Sequence, residues 1–318
     1  MPRPRRRAVI DIGTNSVKLL VAEVADQEVR PLCEDSKQTR LGEGFYRTHR
    51  LQREPVARTA EAVAQFARIA RHRRAETIRV IATSAARDAR NPELLLTAVQ
   101  RATRLEVEII SGEQEADWAF QGVVTDGRLR THPLLLLDVG GGSTEFILGH
   151  GEHKHFRHSF PLGTVRLLER FPVSDPPRRS ELAAARRWLR EFLQGHVHPK
   201  LGPELRREAR LDPKRGFVQL VGTGGTASIL ARMQAKLAGF ERDRIERVRL
   251  SRSRVGIHAK KLWGRPLAER QKIIGLPPKR ADVILTGVLI YEAVMKEFGF
   301  ETLRVSTRGL RFAALMDA

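Results

Sequence analysis

One short design occurs twice in this chain. "AVIDIGTNSVKLL", from Ala8 to Leu20, and "LLLLDVGGGSTEF", from Leu134 to Phe146, each run an apolar segment into an aspartate, a glycine-containing turn and a second apolar segment. Superimposed, they pair Asp11 with Asp138, Gly13 with Gly140, Ser16 with Ser143 and Lys18 with Glu145. Apolar, β-branched runs on both sides of a tight turn read as a hairpin rather than as a strand feeding a helix. The repeat therefore predicts an internal duplication. Two α/β halves each open with a hairpin, and their Gly-rich turns are expected to face one another across a cleft.

A length of 318 residues fits about two domains. No stretch approaches the ~20 unbroken apolar residues of a membrane helix, so no membrane partner is expected. Met1 to Arg7 is basic, but the apolar run after it stops at Asp11, too short for a secretory signal. The single cysteine, Cys33, excludes an internal disulfide and a thiolate zinc cluster, which fits a reducing cytoplasm. The excess of 57 Lys and Arg over 37 Asp and Glu, a net +20, draws polyanions such as nucleic acid or a phosphate polymer. The basic residues are scattered, as in "RIARHRRAE" and "RREARLDPKR", and aromatics are only 6%. That argues against a stacking platform for single strands, so no specific nucleic-acid partner is expected.

Between the repeats, Val56, Ala60, Val63, Ala67 and Ala70 recur with a helical period. "IRVIATSAA" reads as a buried strand, and "NPELLLTAVQRAT" as a helix with Asn91 as N-cap and Pro92 in its first position. "VEIISGEQEADWAFQGVV" reads as a strand feeding a helix, with Ser111 and Gln114 as a capping box. The second half repeats the alternation through "SDPPRRSELAAARRWLREFL", "GFVQLVGTGGTASILARM" and "RADVILTGVLIYEAVMKEFG". Alternating strands and helices imply a mixed or mostly parallel sheet. The polar "TDGRLRT" marks a boundary, giving domains 1–125 and 126–305, with the terminal helix 306–318 packing back on the first.

Three glycine turns follow apolar strands: Thr14, Asn15 and Ser16 after Gly13; Gly140, Gly141, Gly142 and Ser143; and Gly222, Thr223, Gly224, Gly225 and Thr226. Glycines let successive amides point into one concavity that holds anions, while Ser and Thr add donors. The third turn opens a helix whose N-terminus adds partial positive charge. Asp11 and Asp138 stand where a strand meets such a turn, and Glu145 follows Ser143 by two residues. Mg²⁺ prefers one or two carboxylates completed by waters and phosphate oxygens, which suits that spacing. A hydrolase also needs a base for water, and Glu115, in the first turn of its helix, is the candidate, with Glu113 and Asp117 as rivals. On residue chemistry alone Glu115 reads more readily as an ordinary carboxylate stabilising the helix start than as a base. His150, His153, His155 and His158 of "HGEHKHFRH" read as solvated histidines, and Trp118 as core or interface.

"DIGTNSVKLL", "TRLGEG", "ATSAARDARN", "ISGEQEA", "LLDVGGGSTEF", "LGTVRLLERF", "VGTGGTASILA" and "LPPKRADVILTG" occur in an order and spacing that resembles the exopolyphosphatase and guanosine pentaphosphate phosphohydrolase family. The resemblance implies two ribonuclease-H-like domains of the actin-like ATPase superfold with the site in the interdomain cleft. It makes Glu115 the catalytic base, Asp138 and Glu145 acids associated with Mg²⁺ (or Mn²⁺), and Asp11 the first-loop aspartate. It makes Arg87 of "TSAAR" and Arg40 of "RLGEG" phosphate contacts. The activity it implies is hydrolysis of the terminal phosphoanhydride bond of inorganic polyphosphate to release orthophosphate, with guanosine pentaphosphate as the alternative substrate and a homodimer as the assembly. The competing readings are an ATP-dependent small-molecule kinase of the same superfold and a non-catalytic nucleic-acid binder. No stacking aromatic beside Gly222 to Thr226 supports the first of these, and only charge supports the second.

Overall fold

The computed structural model describes residues 4–25, 28–211 and 217–317, so residues 212–215 of the basic run "RREARLDPKR" lie outside the described residues. The chain divides into two compact units, Met1–Thr125 with Arg308–Ala318, and Asp126–Thr307. In the first unit, β1 (Arg5–Ile12), β2 (Ser16–Ala25) and β3 (Glu28–Gln38) form an antiparallel meander, and β4 (Thr77–Ala82) and β5 (Val107–Ile109) extend it in parallel beyond β1. The sheet order is β3-β2-β1-β4-β5. In the second, β6 (Leu134–Val139), β7 (Thr144–His150) and β8 (His153–Phe160) form the meander. Then β9 (Gln219–Thr223) joins β6 in parallel, β11 (Thr302–Val305) joins β9, and β10 (Arg249–Ser251) closes the edge. Its order, β10-β11-β9-β6-β7-β8, contains the first sheet's five-strand pattern plus one strand. The duplication read from two hairpins is thus a duplication of whole sheets, as two ribonuclease-H-like domains require.

Both faces of the first sheet are covered, which is why β1 and β2 are continuously apolar instead of alternating. Ala8, Ile10, Ile12 and Leu19 pack with Val63, Phe66 and Ala67 of the helix Arg53–His72. Val9, Leu20 and Ala22 pack on the other face with Trp118, Phe312 and Leu315. Trp118 is core, with the Arg79 guanidinium 4.7 Å from its ring centroid. The C-terminal helix Leu310–Met316 docks here, tied by Arg7 to the Leu315 carbonyl at 2.8 Å and by Arg311 to the Leu19 carbonyl at 2.7 Å. In the second unit Leu134 to Leu137 are all buried.

Two local expectations change. The helix at Asn91 is Glu93–Thr103 with Pro92 at its N-cap. The buried Asn91 side chain instead clamps Leu51, accepting from its amide at 2.8 Å and donating to its carbonyl at 3.1 Å. A tertiary backbone pair, both groups of which are otherwise costly to bury, wins over a helix cap. The histidines of β8 are also not simply solvated: His155 lies 3.7 Å from the buried Glu208, and His158 3.0 Å from Lys200. Among the described residues, no three His, Cys, Asp or Glu side chains gather as a metal-ligand group, and no helix is long and apolar enough to cross a membrane.

Candidate functional site

In each unit the candidate residues follow the C-terminal ends of parallel strands, the usual location of sites in open α/β sheets. In the first, β1 ends at Ile12 opposite Ala82 of β4, and Ala82 pairs with Ile109 of β5. Three chain exits therefore lie side by side: the Gly13–Ser16 turn, the short helix Ser84–Arg87, and the helix Gly112–Val124.

Glu115 and Arg87 are brought together from the last two exits. Arg87 Nη1 donates to Glu115 Oε2 at 2.9 Å and to the Ile110 carbonyl at 3.3 Å. Ser111 caps the Glu115 helix by accepting from the Gln114 amide at 3.1 Å, so the carboxylate sits on a fixed first turn. Of the three candidate acids only Glu115 is buried; Asp117 is half-buried and Glu113 exposed. A charge-assisted contact of this kind both orients the carboxylate and aims the guanidinium.

The first glycine turn closes with the Gly13 amide on the Ser16 carbonyl at 3.0 Å. The "TRLGEG" loop then wraps it: the Thr39 and Arg40 amides reach the Asn15 carbonyl at 3.2 and 3.0 Å, and the Gly42 amide reaches the Thr14 carbonyl at 2.8 Å. A Cβ on Gly42 would lie 2.3 Å from Thr14 Cγ2, so the wrap requires glycine there. Arg40 is exposed, with a left-handed φ of 54°. Thr14, Asn15 and Ser16 are buried, and among the described residues the amides of Thr14 and Asn15 make no backbone hydrogen bond.

Asp11 lies directly opposite Lys18 in the hairpin, with Nζ 4.0 Å from Oδ2. Its other oxygen, Oδ1, is buried without a hydrogen-bond partner, and so is Asn15 Nδ2. One orphan asks for a cation or donor and the other for an acceptor, and leaving both unmet is costly. Burial holds the Asp11 pKa above its ordinary 3.8, while Lys18 and Arg311 pull it down. A raised carboxylate pKa means the folded state binds its proton more tightly than the unfolded chain. The penalty is absent below 3.8, grows as pH rises through the shifted value, and is complete above it. Asp11→Asn is therefore expected to raise the thermal midpoint of the metal-free protein at pH 8, the gain shrinking as pH falls toward 4. Unfolding scans across that range check it; a midpoint difference that does not vary with pH would refute the assignment.

The second unit repeats the arrangement. Asp138 faces Glu145 across the β6–β7 hairpin and Thr223 on β9. Glu145 is fully buried and accepts from Ser159 Oγ at 2.8 Å. The Gly140 amide closes its turn on the Ser143 carbonyl at 3.0 Å. The "LGTVRL" segment wraps it as "TRLGEG" wraps the first: the Gly140 carbonyl accepts from the Thr164 amide and the Gly141 carbonyl from the Val165 amide. The Gly142 carbonyl accepts from Arg166 Nε at 2.8 Å. The buried Ser143 and the amides of Gly141 and Gly142, which make no backbone hydrogen bond among the described residues, line the turn.

The third turn separates into different parts. Gly222 and Thr223 belong to β9, and the helix Gly224–Ala235 starts at once. Gly222 makes room for Tyr291, whose hydroxyl would lie 2.8 Å from a Cβ there. Gly224, at φ +79°, would place a Cβ 2.3 Å from Asp138 Oδ1. Gly225 lies under a guanidinium, Arg280 Nη2 being 3.0 Å from its would-be Cβ. Thr226 Oγ1 is a third buried polar atom without a partner. Gly224→Ala meets both the left-handed backbone and the Asp138 carboxylate, so it is expected to abolish phosphate release at temperatures where circular dichroism still reports a folded chain.

Arg280, Lys18 and Arg166 are the site residues that motif reasoning passed over. Arg280 stood inside the quoted "LPPKRAD", but nothing in the sequence says that its buried side chain returns to Gly225.

For Mg²⁺, each unit offers hard carboxylate oxygens of its own: Asp11 in the first, with one unmet lone pair, and Asp138 paired with Glu145 in the second. A three-residue cage is not needed when substrate oxygens and water complete the shell.

Residues 20–317 match the model of the Ppx/GppA phosphatase family. Exopolyphosphatase 2 of Mycobacterium tuberculosis is 35% identical over 315 residues, spanning 95% of this chain and 94% of that protein. Among solved structures, the PPX-GPPA enzyme of Aquifex aeolicus is 29% identical with a TM-score of 0.76, covering 99% of both chains. An exopolyphosphatase from Cytophaga hutchinsonii is 26% identical with a TM-score of 0.84, covering 98% of both. The family match spans nearly the whole chain, and similar proteins and structures cover it from end to end: the chain belongs to the Ppx/GppA phosphatase family of phosphoanhydride hydrolases.

Proposed function

We propose that the protein is an exopolyphosphatase, releasing orthophosphate from the end of inorganic polyphosphate. The observation that carries the reading is the buried Glu115, held by Arg87 at 2.9 Å and sharing a sheet end with the unsatisfied Asp11 Oδ1 and Asn15 Nδ2. Glu115 takes a proton from the water that attacks the terminal phosphorus. The bond from phosphorus to the bridging oxygen breaks, and the shortened chain leaves with that electron pair. Arg87 orients Glu115 and offers positive charge to the equatorial oxygens, while the open amides of the glycine turns bind phosphate. Phosphoryl transfer depends chiefly on such positioning and charge neutralisation. Asp11 in the first unit and Asp138 with Glu145 in the second are the carboxylates that would hold Mg²⁺ or Mn²⁺, which would supply charge neutralisation to the phosphate oxygens.

Guanosine pentaphosphate is the second reading, favoured by the family to which the chain belongs. Polyphosphate stands first because relatives at 35% and 26% identity are exopolyphosphatases and because a net +20 rewards a dense polyanion. Orthophosphate release from short polyphosphate, long polyphosphate, guanosine pentaphosphate and ATP, measured side by side with Mg²⁺ and with chelator, tests substrate and metal together. Faster turnover of the guanosine nucleotide would reverse the order, and equal rates on ATP would sink both. The same reading makes the enzyme a cytoplasmic homodimer; sedimentation over a range of concentrations tests the dimer.

A further inference from the structure

An open groove of about 600 Å³ lies in the first unit, between the loop after "TRLGEG" and the start of the helix Glu93–Thr103. That volume is on the scale of small-molecule sites, about 300–1,000 Å³. Arg50, Arg53, Thr48 and Gln52 line one side, and Glu93 is its single acid. Its walls are fixed by the double hydrogen bond between Asn91 and the Leu51 backbone, which is 93% and 97% buried at those two residues (7% and 3% exposed).

The groove is cationic. Some arginines of the unit are matched by acids, as Arg58 is by Glu43 and Glu54 and Arg79 by Glu108. Arg50 and Arg53, and the nearby Arg47 and Arg90, are exposed and take no part in any ion pair among the described residues. Like charges gathered on fixed walls repel unless an anion joins them. The segments that wall the groove are tied to those that carry the candidate site. The Arg90 amide donates to the His49 carbonyl at 2.9 Å, and Arg87, three residues earlier, holds Glu115. At its other end the same loop wraps Thr14 and Asn15. No aromatic ring lines it, so it offers phosphates a cation but offers bases no stack.

We propose that this groove is a distal subsite for the non-reacting part of a long polyphosphate chain, with Arg50 and Arg53 setting the preference for long over short substrates. The inference rests on the exopolyphosphatase reading above. The test is the Arg50→Gln/Arg53→Gln enzyme, compared with the parent on tripolyphosphate and on long-chain polyphosphate. KM for the long chain should rise by about tenfold and lose salt sensitivity, with kcat held and tripolyphosphate kinetics unchanged. Arg50→Lys/Arg53→Lys should restore most of the affinity, and thermal unfolding of each variant should match the parent. An unchanged long-to-short KM ratio overturns the proposal, as does an equal loss on both substrates. Direct titration of long-chain polyphosphate into both proteins, with single-stranded RNA as competitor, reads the groove without catalysis. Polyphosphate affinity equal in both proteins, or RNA competing as well as polyphosphate, overturns it also. A parent that binds through the groove yet hydrolyses no polyphosphate refutes the activity and leaves the subsite standing.

Discussion

Glu115→Gln lowers kcat by about 10²–10⁴-fold on the best substrate, the range by which a positioned general base accelerates a reaction, and leaves KM close to the parent value. The amide keeps the size of the side chain and can still accept from Arg87, whose guanidinium lies 2.9 Å from Oε2, so the fold and the phosphate contacts persist. Only proton acceptance is removed. Glu113→Gln, on the exposed side of the same turn, retains turnover near the parent's. Steady-state orthophosphate release, with pH profiles of kcat for both variants, makes the comparison. The residual activity of the Gln variant should lose the acidic limb of its profile. Near-normal turnover in Glu115→Gln would remove the base assignment and leave Glu115 as an anchor for Arg87.

Gly122→Ala destabilises the first unit by about 3 kcal/mol, the upper range for forcing atoms into a filled core. By helix propensity the sign is opposite, since alanine is favoured over glycine inside a helix by about 1 kcal/mol. The contact decides: a Cβ on Gly122 would lie 2.0 Å from the carbonyl oxygen of Gly309 and 2.5 Å from its carbon. Neither backbone can retreat. Gly122 is in the helix Gly112–Val124, and Gly309 leads into the C-terminal helix anchored by Phe312 and Leu315. The variant should show a midpoint lower by about 10 °C and faster amide exchange over Leu310–Met316. Gly127→Ala, where a Cβ meets nothing within 4 Å, serves as the neutral control. A stabilised Gly122→Ala would mean that the C-terminal helix does not dock on this face.

The elements carrying strong periodic signals were legible. The hairpin at Asp11 and its counterpart at Asp138 follow from apolar runs broken by glycine, and the Ser111 cap follows from a hydroxyl three residues ahead of an amide it can reach. Local bonds of this kind depend on neighbours in the chain. Asn91 departs from its expected cap for the complementary reason: the same side chain suits a cap and a distant backbone, and only the fold supplies Leu51. Arg280 over Gly225 and Arg166 on the Gly142 carbonyl were equally out of reach, because a long cation has no sequence partner until two elements meet.

By itself the sequence determined the chain's repeated hairpins, its alternation of strands and helices, its charge, and the motif set that names its family. These depend on periodicity and on residues within a few positions of one another. The tertiary structure decided which carboxylate of three is buried against an arginine, which glycines exist to admit a neighbour, and which polar atoms are left without partners. Those outcomes turn on ångström-scale approaches between segments tens to hundreds of residues apart, where one methyl group or one lone pair reverses the sign of the energy.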